Sequence, residues 1–260
     1  MAAMERTGDG SAGDADYARI GFGYTRFRQP DPHIQAAITR ELGDAYTVLN
    51  VGAGAGSYEP TDRDVTAVEP SATMRVQRPA GLPRAIDATA ERLPFDDDSF
   101  DASLTTFSVH QWADIERGLG EMRRVTRGPV LVLTCDPAAL DRFWLDEYAP
   151  EVIDTEASRY PPVEQIAALL GANSRILEVP IPLDCVDGFN EAYYGRPEML
   201  LDPGARQANS AWSFVGPLVA RRFVRELGDE LASGAWDAKF GDLRTQPEFD
   251  GSLRLVVGLR

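Results

Sequence analysis

Cysteine, histidine and lysine are nearly missing from this 260-residue chain, which has only Cys135 and Cys185, two histidines and the single lysine Lys239. Two cysteines cannot form a disulfide framework. With no Cys or His pairs at ligand spacing a structural zinc site is excluded as well, and no metal is expected. Long apolar runs are also absent: no window approaches the roughly 20 apolar residues that cross a bilayer. The opening stretch MAAMERTGDGSAGDADYA has no apolar segment that could act as a signal. These absences point to a soluble, cytoplasmic chain with no membrane partner. Positive charge is scarce too, with 26 basic against 41 acidic residues and a formal net charge of -15. A sequence-independent nucleic-acid binder needs a clustered cationic face, so no nucleic-acid partner is expected. The densest basic runs, Arg123, Arg124 and Arg127 and then Arg221, Arg222 and Arg225, read as solvated helix faces.

What is present suffices for a core: 43% of the residues are hydrophobic and 9% aromatic, which rules out disorder of the whole chain. Residues 1–15, rich in Gly, Ala, Asp and Ser, read as a mobile tail, and 16–260 as a single domain. A helix is expected from Pro32 to about Leu42, with Asp31 as N-cap, Ile34, Ile38 and Leu42 on one stripe, and Gly43 as the stop. Short apolar runs then alternate with turns and helices, the pattern of an α/β fold with a parallel sheet buried on both faces. Strands are expected at Thr47 to Val51, Val65 to Val68, near Ala85 and Ile86, and at Phe100 to Thr106, Pro129 to Thr134, Arg175 to Ile181 and Ser252 to Leu259. Helices are expected after Asp114 and from Val163 to Leu170. An excursion at 183–248, with a long amphipathic helix carrying Val219, Phe223, Leu227 and Leu231, reads as a helical cap or lobe before the last strand.

The strongest local signal is Val48-Leu-Asn-Val-Gly-Ala-Gly-Ala-Gly56, an apolar strand that runs into glycines at alternate positions. Such glycines let the backbone turn sharply and approach a ligand, although a tight turn alone also needs them. Thirteen residues after Gly56, at the end of the next strand, stands Glu69, where a carboxylate can accept both hydroxyl protons of a ribose. The glycine spacing is G-x-G-x-G rather than G-x-G-x-x-G, and little chain is left for a helix before Val65. Both features argue against a dinucleotide. A third segment, Ala88-Thr-Ala-Glu-Arg-Leu-Pro-Phe-Asp-Asp-Asp-Ser-Phe-Asp101, enters the fourth strand.

Together these segments resemble the class I S-adenosylmethionine-dependent methyltransferases, in particular the small-molecule enzymes with an A-E-x-L-P-F loop, over roughly Tyr24 to Thr134. The resemblance implies a doubly wound, Rossmann-like, mostly parallel seven-stranded sheet with an antiparallel last strand. It also implies S-adenosyl-L-methionine as cofactor. Carried over residue by residue, Gly52, Ala53, Gly54 and Gly56 would lie under the methionine part and Glu69, with Pro70 beside it, would bind the ribose. Thr89, Ala90 and Glu91 would border the adenine, with Phe107 close by. The segment Tyr24-Thr-Arg-Phe-Arg28 is similar to one that packs over the cofactor and pairs with its carboxylate; Arg28 suits that role by its fork geometry, and a surface arginine is the alternative. Two positions depart from the pattern. Asn50 and Thr89 stand where the family usually has acidic residues.

His110, in Phe107-Ser-Val-His110-Gln-Trp112, falls at the carboxyl edge of the sheet and is a candidate base, or else a capping or buried histidine. Asp136, after the fifth strand, is a weaker catalytic candidate. His110, Trp112, Tyr193, Tyr194 and Arg196 are candidates for the wall of an acceptor pocket, with core packing as the other reading of the aromatic cluster. Methyl transfer by direct displacement to a small-molecule acceptor is the expected function. The alternatives are an S-adenosylmethionine-binding protein of the same fold without methylating activity, a nicotinamide-dependent dehydrogenase disfavoured by the glycine spacing, and an interaction module that would leave Glu69 without a role. Neither the acceptor nor the oligomeric state is legible.

Overall fold

The computed structural model describes residues 24–260; the tail expected over residues 1–15 lies outside that range. Among the described residues eight strands form: β1 (Thr47–Val51), β2 (Asp64–Val68), β3 (Ala102–Thr106), β4 (Val130–Cys135), β5 (Ser174–Glu178), β6 (Ile181–Pro182), β7 (Glu248–Phe249) and β8 (Leu253–Gly258). Six of them make the central sheet, in the order β2-β1-β3-β4-β8-β5. β1 pairs in parallel with β2 and β3, and β3 with β4, whereas β8 runs antiparallel to both β4 and β5. This is the Rossmann-like order with its antiparallel last strand. The seventh strand, expected near Ala85 and Ile86, shrinks to one parallel bridge between Val68 and Ile86. Pro83 removes a backbone donor just before it, and the apolar run is only two residues long. The run from Arg175 to Ile181 also divides, into β5 and β6.

Side chains alternate along each strand, so the two faces of the sheet carry different cores. Val130 and Val132 of β4 face one way, with Leu49, Val51 and Val256. They pack against Leu119, Met122 and Val125 of the helix Ile115–Val125 and against Val163, Ile166 and Leu170 of the helix Val163–Leu170. Leu131 and Leu133 face the other way and join Ile34, Ile38 and Leu42 of the helix Pro32–Leu42. That second core continues without a break into the 183–248 excursion through Phe189, Tyr194, Phe223, Leu227 and Trp236.

Capping follows the sequence. The Asp31 carboxylate accepts from the backbone N–H groups of His33 and Ile34, and Asp114 accepts from that of Arg117. The long helix of the excursion, Pro217–Ser233, ends at Gly234 with φ 79, a left-handed stop. The excursion leaves and rejoins the sheet through a two-stranded ribbon in which Ile181 pairs with Phe249 and Pro182 with Glu248.

Candidate functional site

At the carboxyl end of β1 the chain turns through Gly52 (φ 67) and Gly54 (φ 51), backbone conformations that favour glycine. A Cβ on Gly52 would stand 1.9 Å from Ser108 Oγ, so any larger residue would have to displace Ser108 as well as hold a strained backbone. The Gly54 N–H donates to Glu69 Oε2 (2.8 Å) and the Ser71 N–H to Glu69 Oε1 (2.7 Å), which fixes the carboxylate at the mouth of β2. Burial pushes the Glu69 carboxyl above its ordinary pKa, although the two N–H bonds pull it back. The turn opens on a cleft, partly open to solvent, whose lining runs from the glycine turn past Glu69 to Thr89, Ala90 and Glu91.

Ten of the expected cofactor residues line this cleft: Arg28, Gly52, Ala53, Gly54, Glu69, Pro70, Thr89, Ala90, Glu91 and Phe107. Trp112, expected to wall the acceptor, lines it too, and its indole N–H donates to Ser108 Oγ at 3.0 Å. Glu91 also fastens the loop to the next helix by accepting from the backbone of Ala113 and Asp114. Gly56 and Asn50 stand behind the lining. Of Tyr24 the described structure covers only its place at the start of the helix Tyr24–Phe27.

Fully buried Asn50 donates to Glu59 Oε1 (3.0 Å), and Glu59 pairs with Arg78 (2.8 Å) in a bridge that is almost completely covered. Arg78 in turn reaches the Gly54 carbonyl at 3.5 Å. The negative charge expected at position 50 is thus supplied from position 59, and the glycine turn rests on an amide–carboxylate–guanidinium chain. An aspartate at 50 would put two carboxylates in contact out of water, and the neutral amide avoids that repulsion. Glu59 sits in the Gly-Ser-Tyr-Glu stretch directly after the glycines, and an acid placed there is the signal that sequence reasoning passed over.

A second cavity of about 550 Å³ adjoins the first; Arg28 and Phe107 belong to both. Phe107 holds a left-handed backbone (φ 50) at the end of β3 and stands between the two spaces. His110 lines the second cavity from the short turn Val109–Gln111 and stacks on Tyr160 with ring centroids 4.4 Å apart. Its pKa is pushed down to about 3, first by burial and then by the charges of Arg159 and Arg28, so the imidazole is neutral at ordinary pH. Glu156 and Tyr160, from the helix Pro150–Arg159 and its end, supply another wall. Asn190 and Glu191 come from the 183–248 excursion. Burial raises the Glu156 carboxyl and pushes Glu191 up to about 7.

Arg28 is anchored by Asp187 of the excursion, its Nε donating to Asp187 Oδ1 at 2.6 Å, and its guanidinium lies over the Phe107 ring. Asp187 also accepts from the Tyr58 hydroxyl (2.8 Å). The other candidates lie apart from both cavities. Tyr193 and Tyr194 are buried, with Tyr194 stacked on Phe249 and donating to the Gln246 carbonyl. Arg196 donates to the carbonyls of Cys185 and Ala192. Asp136 accepts from the Ala138 N–H and caps the turn after β4. Among the described residues no cluster of His, Cys, Asp and Glu could hold a metal ion, and no helix is long and apolar enough to cross a membrane.

Residues 49–132 match the methyltransferase domain family. The chain is 30% identical over 121 residues to an uncharacterized methyltransferase, YcgJ, of Bacillus subtilis, a match covering 42% of this chain and 48% of that protein. It is 34% identical over 94 residues to a demethylmenaquinone methyltransferase of Mycolicibacterium gilvum, covering 36% and 38%. The chain thus spans about half or less of the length of these curated relatives. A solved structure described as a putative methyltransferase from an antibiotic biosynthesis pathway of Anabaena variabilis superposes with a TM-score of 0.83 at 28% identity, over 90% of this chain and 99% of that one. The cofactor that goes with this domain and this fold is S-adenosylmethionine, and the glycine cradle, the Glu69 carboxylate and the lining of the cleft fit it. Residues 49–132 thus match a methyltransferase domain, and the chain has the Rossmann-like fold of the S-adenosylmethionine-dependent methyltransferases.

Proposed function

We propose that the protein is an enzyme that transfers a methyl group to a small-molecule acceptor held in the second cavity. The observation that carries this reading is the pair of adjoining spaces with Arg28 and Phe107 in common. One has the glycine turn and Glu69; the other is lined by His110, by Glu156 and Tyr160, and by residues of the 183–248 excursion. In this reading 16–260 work as one domain, with 183–248 as a lobe that completes the acceptor space.

When bound, S-adenosylmethionine supplies an electrophilic methyl group on a sulfonium. Gly52, Ala53 and Gly54 would cradle its amino-acid part, Glu69 would accept from the ribose hydroxyls, and Thr89, Ala90 and Glu91 would border the base. Arg28, oriented by Asp187, would face the carboxylate. Displacement of a neutral thioether asks mainly for alignment and exclusion of water, which Phe107 and the excursion provide. The low pKa of His110 makes it a neutral hydrogen-bonding partner in the acceptor space and a weak proton acceptor near neutral pH.

Titration calorimetry with S-adenosylmethionine, S-adenosylhomocysteine and NAD tests the first half of the reading: the first two are expected to bind and NAD not. Failure of both sulfur compounds to bind would leave the fold without this function.

A further inference from the structure

Two acidic side chains line the second cavity, and burial outweighs the arginine charges around them: Arg159 and Arg28 act on Glu156 and Arg254 on Glu191, yet both carboxyls stay above their ordinary range. Glu156 Oε2 accepts from Asn190 Nδ2 at 3.3 Å, and Glu191, 2% exposed, accepts from the backbone N–H of Ser252 (2.8 Å) and from its hydroxyl. Among the described residues neither carboxyl forms an ion pair. Among the described contacts, Arg28 pairs with Asp187, and Arg159 donates to Ser210 Oγ (2.9 Å) and lies over the Phe214 ring (4.5 Å), so their charges reach Glu156 through space rather than in a direct ion pair. Ring pairs flank the same space, Phe107 with Phe189 at 5.5 Å between centroids and His110 with Tyr160 at 4.4 Å.

Carboxyl groups withdrawn from water without a direct ion-pair partner are costly, and a ligand that brings a positive charge removes that cost. Aromatic faces attract an organic ammonium as well. An anionic acceptor would meet like charge at this wall, and a neutral hydroxyl compound would leave both carboxyls without a direct ion-pair partner. We propose, building on the methyltransferase reading above, that the methyl acceptor is a small aryl-bearing amine whose ammonium group lodges against Glu156 and Glu191 and whose ring lies between the two aromatic pairs.

The chemistry balances within the site. The ammonium gives one proton to a carboxyl of the cavity, and the freed nitrogen lone pair takes the methyl carbon as the donor's carbon–sulfur bond breaks. The sulfonium leaves as a neutral thioether and the product carries the positive charge on nitrogen. The raised pKa values of Glu156 and Glu191 suit them to receive that proton, and His110, kept neutral, adds no competing charge.

Three probes with the same ring separate the possibilities: benzylamine, benzyl alcohol and benzoate, titrated by calorimetry into protein saturated with S-adenosylhomocysteine. Benzylamine is expected to bind at least tenfold more tightly than the other two, and Glu156→Gln is expected to lose at least fivefold of that affinity while leaving benzyl alcohol unchanged. Absence of benzylamine binding, equal or tighter binding of the alcohol or the acid, or unchanged benzylamine affinity in folded Glu156→Gln each overturns the proposal. The comparison among the three probes uses the unaltered protein, so it stands even where the variant does not fold. Failure of S-adenosylhomocysteine itself to bind would strike the methyltransferase reading, whereas its binding without a preference for the amine strikes only the acceptor.

Discussion

Each oxygen of the Glu69 carboxylate already holds one backbone N–H, and a carboxylate oxygen has room for a second donor, so the same group can fix the glycine turn and receive a ribose. Glu69→Ala removes both functions. It is expected to weaken S-adenosylhomocysteine binding at least tenfold, about 1.4 kcal/mol, as read by calorimetry; unchanged affinity would remove Glu69 from the site. The support beneath that turn shows how far a single sequence reaches at this scale. Gly52, Gly54 and Glu69 were legible because backbone geometry and strand-end position restrict the residue type. Asn50 read only as a lost charge, since nothing in the sequence says that Glu59 folds back to within 3.0 Å of it.

At the scale of elements, two segments distant in the chain clasp each other beside the cofactor cleft. The Gly188 N–H donates to the Phe27 carbonyl, the Val186 N–H to Asp31 Oδ2, and Asp187 holds both Arg28 and Tyr58. Breaking a buried ion pair from one side leaves an uncompensated charge, a loss of about 3 kcal/mol. Asp187→Asn is therefore expected to lower the melting temperature and, by releasing Arg28, to weaken S-adenosylhomocysteine binding. A variant that melts earlier yet binds with unchanged affinity would make Asp187 a purely structural residue. The helices at Pro32–Leu42, Ile115–Val125 and Val163–Leu170 were readable from caps and apolar spacing. The second cavity was not, because its walls come from the turn after β3, the helix Pro150–Arg159 and the excursion, which only the packed fold brings together. Within the excursion the aromatic and basic residues drew attention, yet Tyr193, Tyr194 and Arg196 went to the core and to backbone carbonyls. The polar pair Asn190 and Glu191, set in an apolar stretch, marks the cavity face.

Across the whole molecule the buried carboxyls tie stability to pH. Glu191 rises from the ordinary 4.5 to about 7 because folding withdraws it from water. Below the lower value both folded and unfolded chains keep its proton. As the pH climbs toward the upper value only the folded chain keeps it, so the relative stability present in acid is lost, by about 3 kcal/mol at 1.36 kcal/mol per pH unit. Glu156 and Glu69 act with the same sign, while Glu121, held low by Arg124, acts with the opposite sign at lower pH. Glu191→Gln is therefore expected to narrow the difference in melting temperature between about pH 5 and about pH 8; an unchanged difference would mean that Glu191 ionises normally in the folded chain. Because the excursion departs and returns through neighbouring strands, β6 and β7, its two ends stand side by side, and its order comes from its share of the packed core rather than from a wide loop closure. A change of length inside it would have to be absorbed by Phe223, Leu227 and Trp236 in that core and by the Arg28–Asp187 clasp, so the excursion and the front of the chain are bound to change together.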